Sequence, residues 1–288
     1  PYNGIIIIHG VGVGKTCTGI SIAENFKNKM IATKKKIYIF TPSETLSETW
    51  KKEIFNIGRE KAKTKSTQDM NVQCTGKDYS KYYQSLSSTS DYGKEIKMNK
   101  FIKEIYEIMG YQQLANRVEK RANELTTESL TFDQALIKTI THTYSNSVIV
   151  MDEVHETRIS GTTNKNKRAP PYLELIARYC TNVKLVLLSA TPIFNESTEI
   201  LWLLNLLLLN DKKAPIFEED VFKTVKNISK LKDDDGRLHL IKKSRGYISY
   251  LRGNNPSVFP TRLYPSKEVT YFYNSEQNKI SWQKPKST

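Results

Sequence analysis

Gly4-Ile5-Ile6-Ile7-Ile8-His9-Gly10-Val11-Gly12-Val13-Gly14-Lys15-Thr16 is the stretch whose reading decides the fold. Four consecutive isoleucines predict a strand buried on both faces, as in a parallel sheet. From Lys15 to about Phe26, Cys17, Ile20, Ala23 and Phe26 recur at helical spacing. Strand, glycine turn and helix are the context of a phosphate-binding loop. Glycines at alternate positions remove Cβ atoms, so successive backbone N–H groups can curl around an anion, and the helix turns its positive end to the same point. Gly10, Gly12, Val13 and Gly14 then form the cradle. Lys15 reaches for the β- and γ-phosphates, and the Thr16 hydroxyl is a ligand for Mg²⁺. The strict pattern wants a glycine where His9 stands, so the loop is a relaxed one. The competing reading is a glycine turn that only joins a strand to a helix.

Across 288 residues the formal charge is +14, and a surplus of this size points to a polyanionic partner, nucleic acid before acidic membrane. The alternative is a lysine-rich composition that is merely solvated. Cys17, Cys74 and Cys180 have no metal-ligand spacing, and their odd number argues against a disulfide framework, so three reduced thiols are expected. The most apolar stretch, Ile200 to Leu209, is too short for a membrane span of about 20 residues and is interrupted by Asn205; it predicts a buried helix and no membrane partner. The sequence opens on Pro1-Tyr2 rather than Met and enters a core strand at once, which predicts truncation at the N-terminus.

Ile37 to Phe40 predicts a second buried strand. It runs into Thr41-Pro42-Ser43-Glu44, where Thr41 is placed as a helix N-cap, Pro42 at the first helical position and Glu44 to close a capping box. Thr41 and Pro42 also sit at a strand tip, facing the crevice where α/β sheets bind ligands. Residues 59–146 read as a helical and loop insertion. It must supply at least one further sheet element, for which Asn71-Val72-Gln73-Cys74 is a candidate, and Met98 to Met109 has helical spacing. Ser147 to Met151 predicts a third strand ending in Asp152-Glu153-Val154-His155. Adjacent residues at a strand end diverge, so Asp152 can serve Mg²⁺ while Glu153 orients a water; an acidic surface turn is the plainer alternative. Val183 to Leu188 predicts a fourth strand, ending in Ser189-Ala190-Thr191-Pro192, and a buried helix follows over Asn195 to Leu209. Gly236 to Lys267 holds seven basic residues and no acidic one, interleaved with Tyr247, Tyr250, Phe259 and Tyr264. That composition suits a nucleic-acid backbone with stacked bases, Arg252 included, and equally a connector packing its aromatics on the first domain.

The ordered set formed by the glycine loop through Thr16, Thr41-Pro42, Asp152 to His155 and Ser189 to Pro192 resembles motifs I, Ia, II and III of superfamily 2 helicases. His9-Gly10, Leu204 to Asp211 and Gly246 to Gly253 through Phe259-Pro260 resemble the helicases of large cytoplasmic DNA viruses, such as poxvirus nucleoside triphosphatase I and the small subunit of the early transcription factor. The resemblance implies a RecA-like lobe over 1–210 with the insertion at 59–146, and a connector with the possible start of a second lobe over 211–288. It implies ATP and Mg²⁺ as ligands, Lys15, Asp152 and Glu153 in catalysis, and His155, Ser189, Ala190 and Thr191 in coupling. Thr41 and Pro42 would lie near nucleic acid. The implied activity is ATP-dependent helicase or translocase work on DNA or RNA in viral transcription, with viral RNA polymerase or transcription factors as partners, in the cytoplasm of an infected cell or in the virion. The alternative is an initiation-factor ATPase or a restriction- or remodelling-type translocase. Neither a second lobe nor an arginine-finger motif is legible, so weak hydrolysis is expected of this stretch alone, such arginines supplying about 10³–10⁵ in rate.

Overall fold

The computed structural model describes residues 2–10, 12–62, 73–86, 90–158, 168–193, 196–225, 228–232, 234–251, 271–274 and 279–282. The chain divides into two compact units, Pro1–Gly253 and Asn254–Thr288. The first opens with β1 (Gly4–His9), α1 (Lys15–Glu24), α2 (Lys27–Ala32), β2 (Ile37–Thr41), α3 (Glu44–Ile54) and α4 (Ile57–Lys61). There follow α5 (Lys77–Ser85), α6 (Asp91–Ile105), β3 (Tyr106–Gly110), α7 (Tyr111–Leu125), α8 (Phe132–Tyr144) and β4 (Val148–Met151). A 3₁₀ turn (Val154–Thr157), α9 (Pro170–Tyr179), β5 (Lys184–Ser189) and α10 (Glu199–Asn210) come next, then α11 (Glu218–Val221), β6 (Phe222–Val225), β7 (Ile228–Leu231), α12 (Asp234–Ser244) and β8 (Ile248–Leu251). In the second unit, β9 (Tyr271–Asn274) and β10 (Lys279–Trp282) form an antiparallel pair.

The main sheet has six strands in the order β3-β2-β4-β5-β1-β8, and every neighbouring pair is parallel. Its strands are apolar throughout because both faces are covered, and the two-residue period divides them cleanly. Ile6, Tyr38, Phe40, Ile149, Met151, Leu185 and Leu187 pack into one core with α7 to α10. Ile7, Ile37, Ile39, Val148, Val150, Val186 and Leu188 pack into the other with α1, α3, α5 and α6. This is the α/β lobe with a parallel sheet flanked by helices that the sequence predicts. The tips of β1, β2, β4 and β5 lie along one edge, with β5 between β1 and β4, so the glycine loop and the acidic tip flank Ser189.

Several expectations are corrected. The extra sheet element is Tyr106–Gly110, in register with β2 through Ile39 and Ile108. The expected helix over Met98 to Met109 therefore stops at Ile105. Asn71 and Val72 lie outside the described residues, and Gln73 to Gly76 is a turn closed by the Gly76 amide on the Gln73 carbonyl at 3.3 Å. The cap of α3 is Ser43, whose hydroxyl accepts from the Leu46 amide at 3.3 Å; Thr41 stays in the strand. Cys17 and Cys74 are joined by a disulfide that pins α1 to the Gln73–Gly76 turn, and Cys180 alone is a free, buried thiol, so the expectation of three reduced thiols fails. A helix α10 is present, but it begins at Glu199, and Asn205 on it ties down the following loop, donating to the Ile216 carbonyl at 2.9 Å and accepting from its amide at 2.7 Å. The sheet also extends past residue 210. β8 joins β1, held by Tyr247, which is buried, bonds Asp211 at 2.5 Å and stacks edge-on against Tyr2. Among the described residues no helix is long and apolar enough to cross a membrane.

Candidate nucleotide site

Gly12 and Gly14 both have positive φ, +80° and +81°. Nothing lies within 4 Å of where a Gly14 Cβ would be, so glycine is required there by conformation and not by space. Gly14 is the N-cap of α1. It makes no side-chain cap, and the first turn carries no acidic residue, so the helix presents its positive end to the turn formed around Gly10, Gly12 and Val13. Lys15 and Thr16 are the first two residues of α1.

The Lys15 ammonium pairs with Glu153 Oε1, joining the glycine loop to the tip of β4 across 138 residues of sequence. Glu153 adopts φ 44° and ψ 49°, a left-handed conformation that non-glycine residues rarely take. That conformation separates the two acids: Glu153 turns toward Lys15, and Asp152 turns inward. Asp152 is 4% exposed. Its Oδ2 accepts from the Trp50 indole at 2.8 Å and its Oδ1 from the Glu153 amide at 3.0 Å. Its backbone is fixed by the amide bond to the Phe40 carbonyl at 2.9 Å and by the Tyr111 hydroxyl on its carbonyl at 2.8 Å. Burial raises the Asp152 carboxyl above the usual aspartate range, the indole bond opposes this, and the neighbouring Glu153 adds to it.

His155 Nδ1 lies 2.9 Å from Ser189 Oγ and 3.4 Å from Glu153 Oε2. Burial lowers the His155 pKa below its usual value, with Glu153 and Glu156 opposing the shift. Ser189 is fully buried, and its Oγ accepts from the Thr191 amide at 3.1 Å. The Lys15–Glu153 pair thus lies beside a second set, His155, Ser189 and Thr191, linked by hydrogen bonds with Ala190 in its backbone. The contacts continue past the 3₁₀ turn: Arg158 pairs with the buried Glu199 at 3.1 Å, and the Trp202 indole donates to Thr157 at 3.1 Å, so α10 is locked to the segment after the acids.

Thr16 and Asp152 offer a hydroxyl and a carboxylate, hard oxygen donors that suit Mg²⁺. Among the described residues no group of three or more His, Cys, Asp or Glu could hold a metal ion. The Thr41 hydroxyl is engaged elsewhere, by Ser43 and Ser47. Thr41 is wholly buried, its hydroxyl donating to the Ser43 carbonyl at 2.9 Å and lying 2.7 Å from Ser47 Oγ, so Pro42 and Ser43 form the accessible surface at that strand tip. Arg252 lies outside the described residues. Trp50, Tyr111 and Gly19 escaped the sequence reading. An aromatic at helical spacing reads as core, and nothing local links Trp50 to a carboxylate 102 residues away.

Residues 2–194 match the protein family described as "Type III restriction enzyme, res subunit". Two relatives from Acanthamoeba polyphaga mimivirus, both named "Putative ATP-dependent RNA helicase", are 26% identical over 280 residues and 31% identical over 268 residues, covering 91% and 90% of this chain. A "Putative helicase" of Frog virus 3 is 28% identical over 261 residues, covering 90% of the chain. The chain spans only 22%, 39% and 23% of the lengths of these three relatives. The family match covers most of the chain: the chain belongs to the type III restriction enzyme res-subunit family, and it is similar to putative helicases of large DNA viruses.

Proposed function

We propose that the chain carries the first RecA-like lobe of an ATP-driven nucleic-acid motor, a helicase or translocase serving viral transcription in the infected-cell cytoplasm or the virion, in company with viral RNA polymerase or transcription factors. The observation that carries this reading is the Lys15–Glu153 pair beside the buried Asp152, which joins a phosphate loop to an acidic strand tip. Lys15 exchanges Glu153 for phosphate oxygens when ATP enters. The released Glu153 carboxylate orients the attacking water and accepts its proton. Asp152 and Thr16 hold Mg²⁺, which when bound neutralises charge building on the phosphates. His155 and Ser189, in contact with Glu153 and with Thr191, relay the change toward α10.

The test is ATP hydrolysis by the full-length protein with and without single-stranded DNA or RNA, for wild type and Lys15→Ala. Stimulated hydrolysis that Lys15→Ala abolishes is expected. Hydrolysis indifferent to both polymers and to Lys15→Ala would sink the reading. A second reading is a restriction-type DNA translocase that moves along duplex without processive unwinding, the matched family being described as a restriction enzyme subunit. Displacement of a third strand without separation of the two beneath it would select that one.

A further inference from the structure

We infer that Trp50 is a positioning residue that couples the start of α3 to the metal-holding carboxylate of Asp152. The inference rests on the reading above, in which Asp152 serves Mg²⁺, and takes the accessible Pro42 to Thr45 at the tip of β2 as the point where nucleic acid bears on the lobe.

Trp50 is 1% exposed, and its Nε1–H donates to Asp152 Oδ2 at 2.8 Å. The other oxygen, Oδ1, is held by the next residue's own amide. One side of the carboxylate is thus set locally by the β4 tip and the other by a helix that arrives from a different part of the chain. The indole cannot swing freely. A Cβ placed on Gly19 of α1 would lie 3.0 Å from the tip of the Trp50 ring and 2.9 Å from Leu188, so the ring is wedged against the glycine-loop helix and the neighbouring strand. Glycine at position 19 is what admits it.

Upstream, α3 is tied to the strand tip by a compact set of bonds. Thr41 Oγ1 and Ser47 Oγ are 2.7 Å apart, and Ser47 Oγ donates to the Ser43 carbonyl at 3.3 Å. Ser47 lies one turn before Trp50. Pro42 to Thr45 form the accessible rim of this segment. A displacement of that rim by a bound strand moves Thr41 to Ser47 as a unit, and the wedged indole passes the movement to Oδ2. Any buried indole N–H needs an acceptor, so the informative point is which acceptor it has. Here the N–H meets the one acid that the proposed chemistry assigns to the metal.

Trp50→Phe keeps an aromatic ring and removes the donor. Expected are a melting temperature close to wild type, affinity for nucleotide without Mg²⁺ within about twofold, and two changes that packing alone would not produce. The Mg²⁺ concentration for half-maximal hydrolysis rises about tenfold, the loss of one hydrogen bond to a charged group, and stimulation by single-stranded DNA or RNA falls toward none. A folded Trp50→Phe with wild-type Mg²⁺ demand and wild-type stimulation overturns the inference and leaves the ATPase reading intact. Should wild type itself show no stimulated hydrolysis, the premise fails and the inference with it. Should Trp50→Phe not fold, the indole ¹⁵N–H signal is followed in Trp202→Phe/Trp282→Phe, where Trp50 is the remaining tryptophan of the chain. It must shift both on adding Mg·ADP and, separately, on adding an oligonucleotide; silence to the oligonucleotide overturns the coupling.

Discussion

Replacing Glu153 by Gln keeps the shape of the side chain and removes the charge that holds Lys15. The two side chains are 11% and 28% exposed, so the pair is partly shielded from water but not buried. Unit charges at hydrogen-bond separation attract by roughly 5 kcal/mol at an effective dielectric of 20. Desolvation and side-chain ordering cancel most of that, leaving about 1 kcal/mol for a pair with this much solvent contact. In the proposed function Lys15 leaves Glu153 to meet a phosphate, and on that reading the remainder opposes nucleotide binding in the wild type. Glu153→Gln should therefore bind a fluorescent ADP analogue about fivefold more tightly, 1.4 kcal/mol being tenfold, while hydrolysis falls by about 10²–10⁴ with the loss of a general base. Glu156→Gln is the control. It removes one negative charge from the same turn without touching the Lys15 pair, so it should change affinity less. Unchanged or weakened ADP binding by Glu153→Gln would refute the reasoning, as would an equal gain from Glu156→Gln, which would reduce the effect to net charge.

Gly19→Ala gains up to about 1 kcal/mol of helix propensity but forces a methyl against Leu188 and the pinned Trp50 ring, at about 1–3 kcal/mol for overpacking. The urea midpoint should fall, and a midpoint at or above wild type would contradict the described packing. The Cys17–Cys74 bridge closes 57 residues of sequence, worth up to about 4 kcal/mol on chain entropy alone. Reductant should lower the melting temperature of wild type and leave Cys17→Ser unaffected, and identical melts with and without reductant would argue against the bridge. For Asp211, burial favours the neutral acid, but the Tyr247 hydroxyl and the Asn3 amide prevail and hold the carboxyl below its usual value. A depressed carboxyl adds stability that is present above the unfolded value near 3.8 and lost as pH falls through the folded one. The gap in melting temperature between wild type and Asp211→Asn should therefore be widest above pH 4 and close at lower pH; a constant gap would show that the charge is not involved.

Strands β1, β2, β4 and β5 were legible because a strand buried on both faces is apolar at every position, a pattern few other elements produce. β3 was not, because Met98, Phe101, Ile102, Ile105, Ile108 and Met109 continue helical spacing without a breaker. The chain becomes extended at Tyr106 only because the open edge of β2 accepts it, which is a tertiary decision. Thr41 looked like a cap for the same reason: its hydroxyl satisfies local capping chemistry, but pairing with Gly110 keeps it in the strand. The glycine turn and the acidic strand tip could be read from residue types alone, since glycine conformation and adjacent carboxylates are local properties. The ties that align them, Trp50 to Asp152, Tyr111 to the Asp152 carbonyl and Cys17 to Cys74, join residues 41 to 102 positions apart, and no spacing announces them.

The strand order has a consequence for how the protein is made. Ile6 of β1 pairs with Leu187 of β5 on one side and Ile248 of β8 on the other, so β1 leaves the ribosome well before either of its neighbours. At about 5–20 residues per second, about 180 residues of synthesis separate β1 from β5, the earlier of its two partners, roughly 9–36 s. For that interval the run of isoleucines beginning at Ile5 has no sheet to enter. The strand that bears the glycine loop is the one that most needs shielding by chaperones during translation, and the site it carries is assembled only when the sheet closes around it.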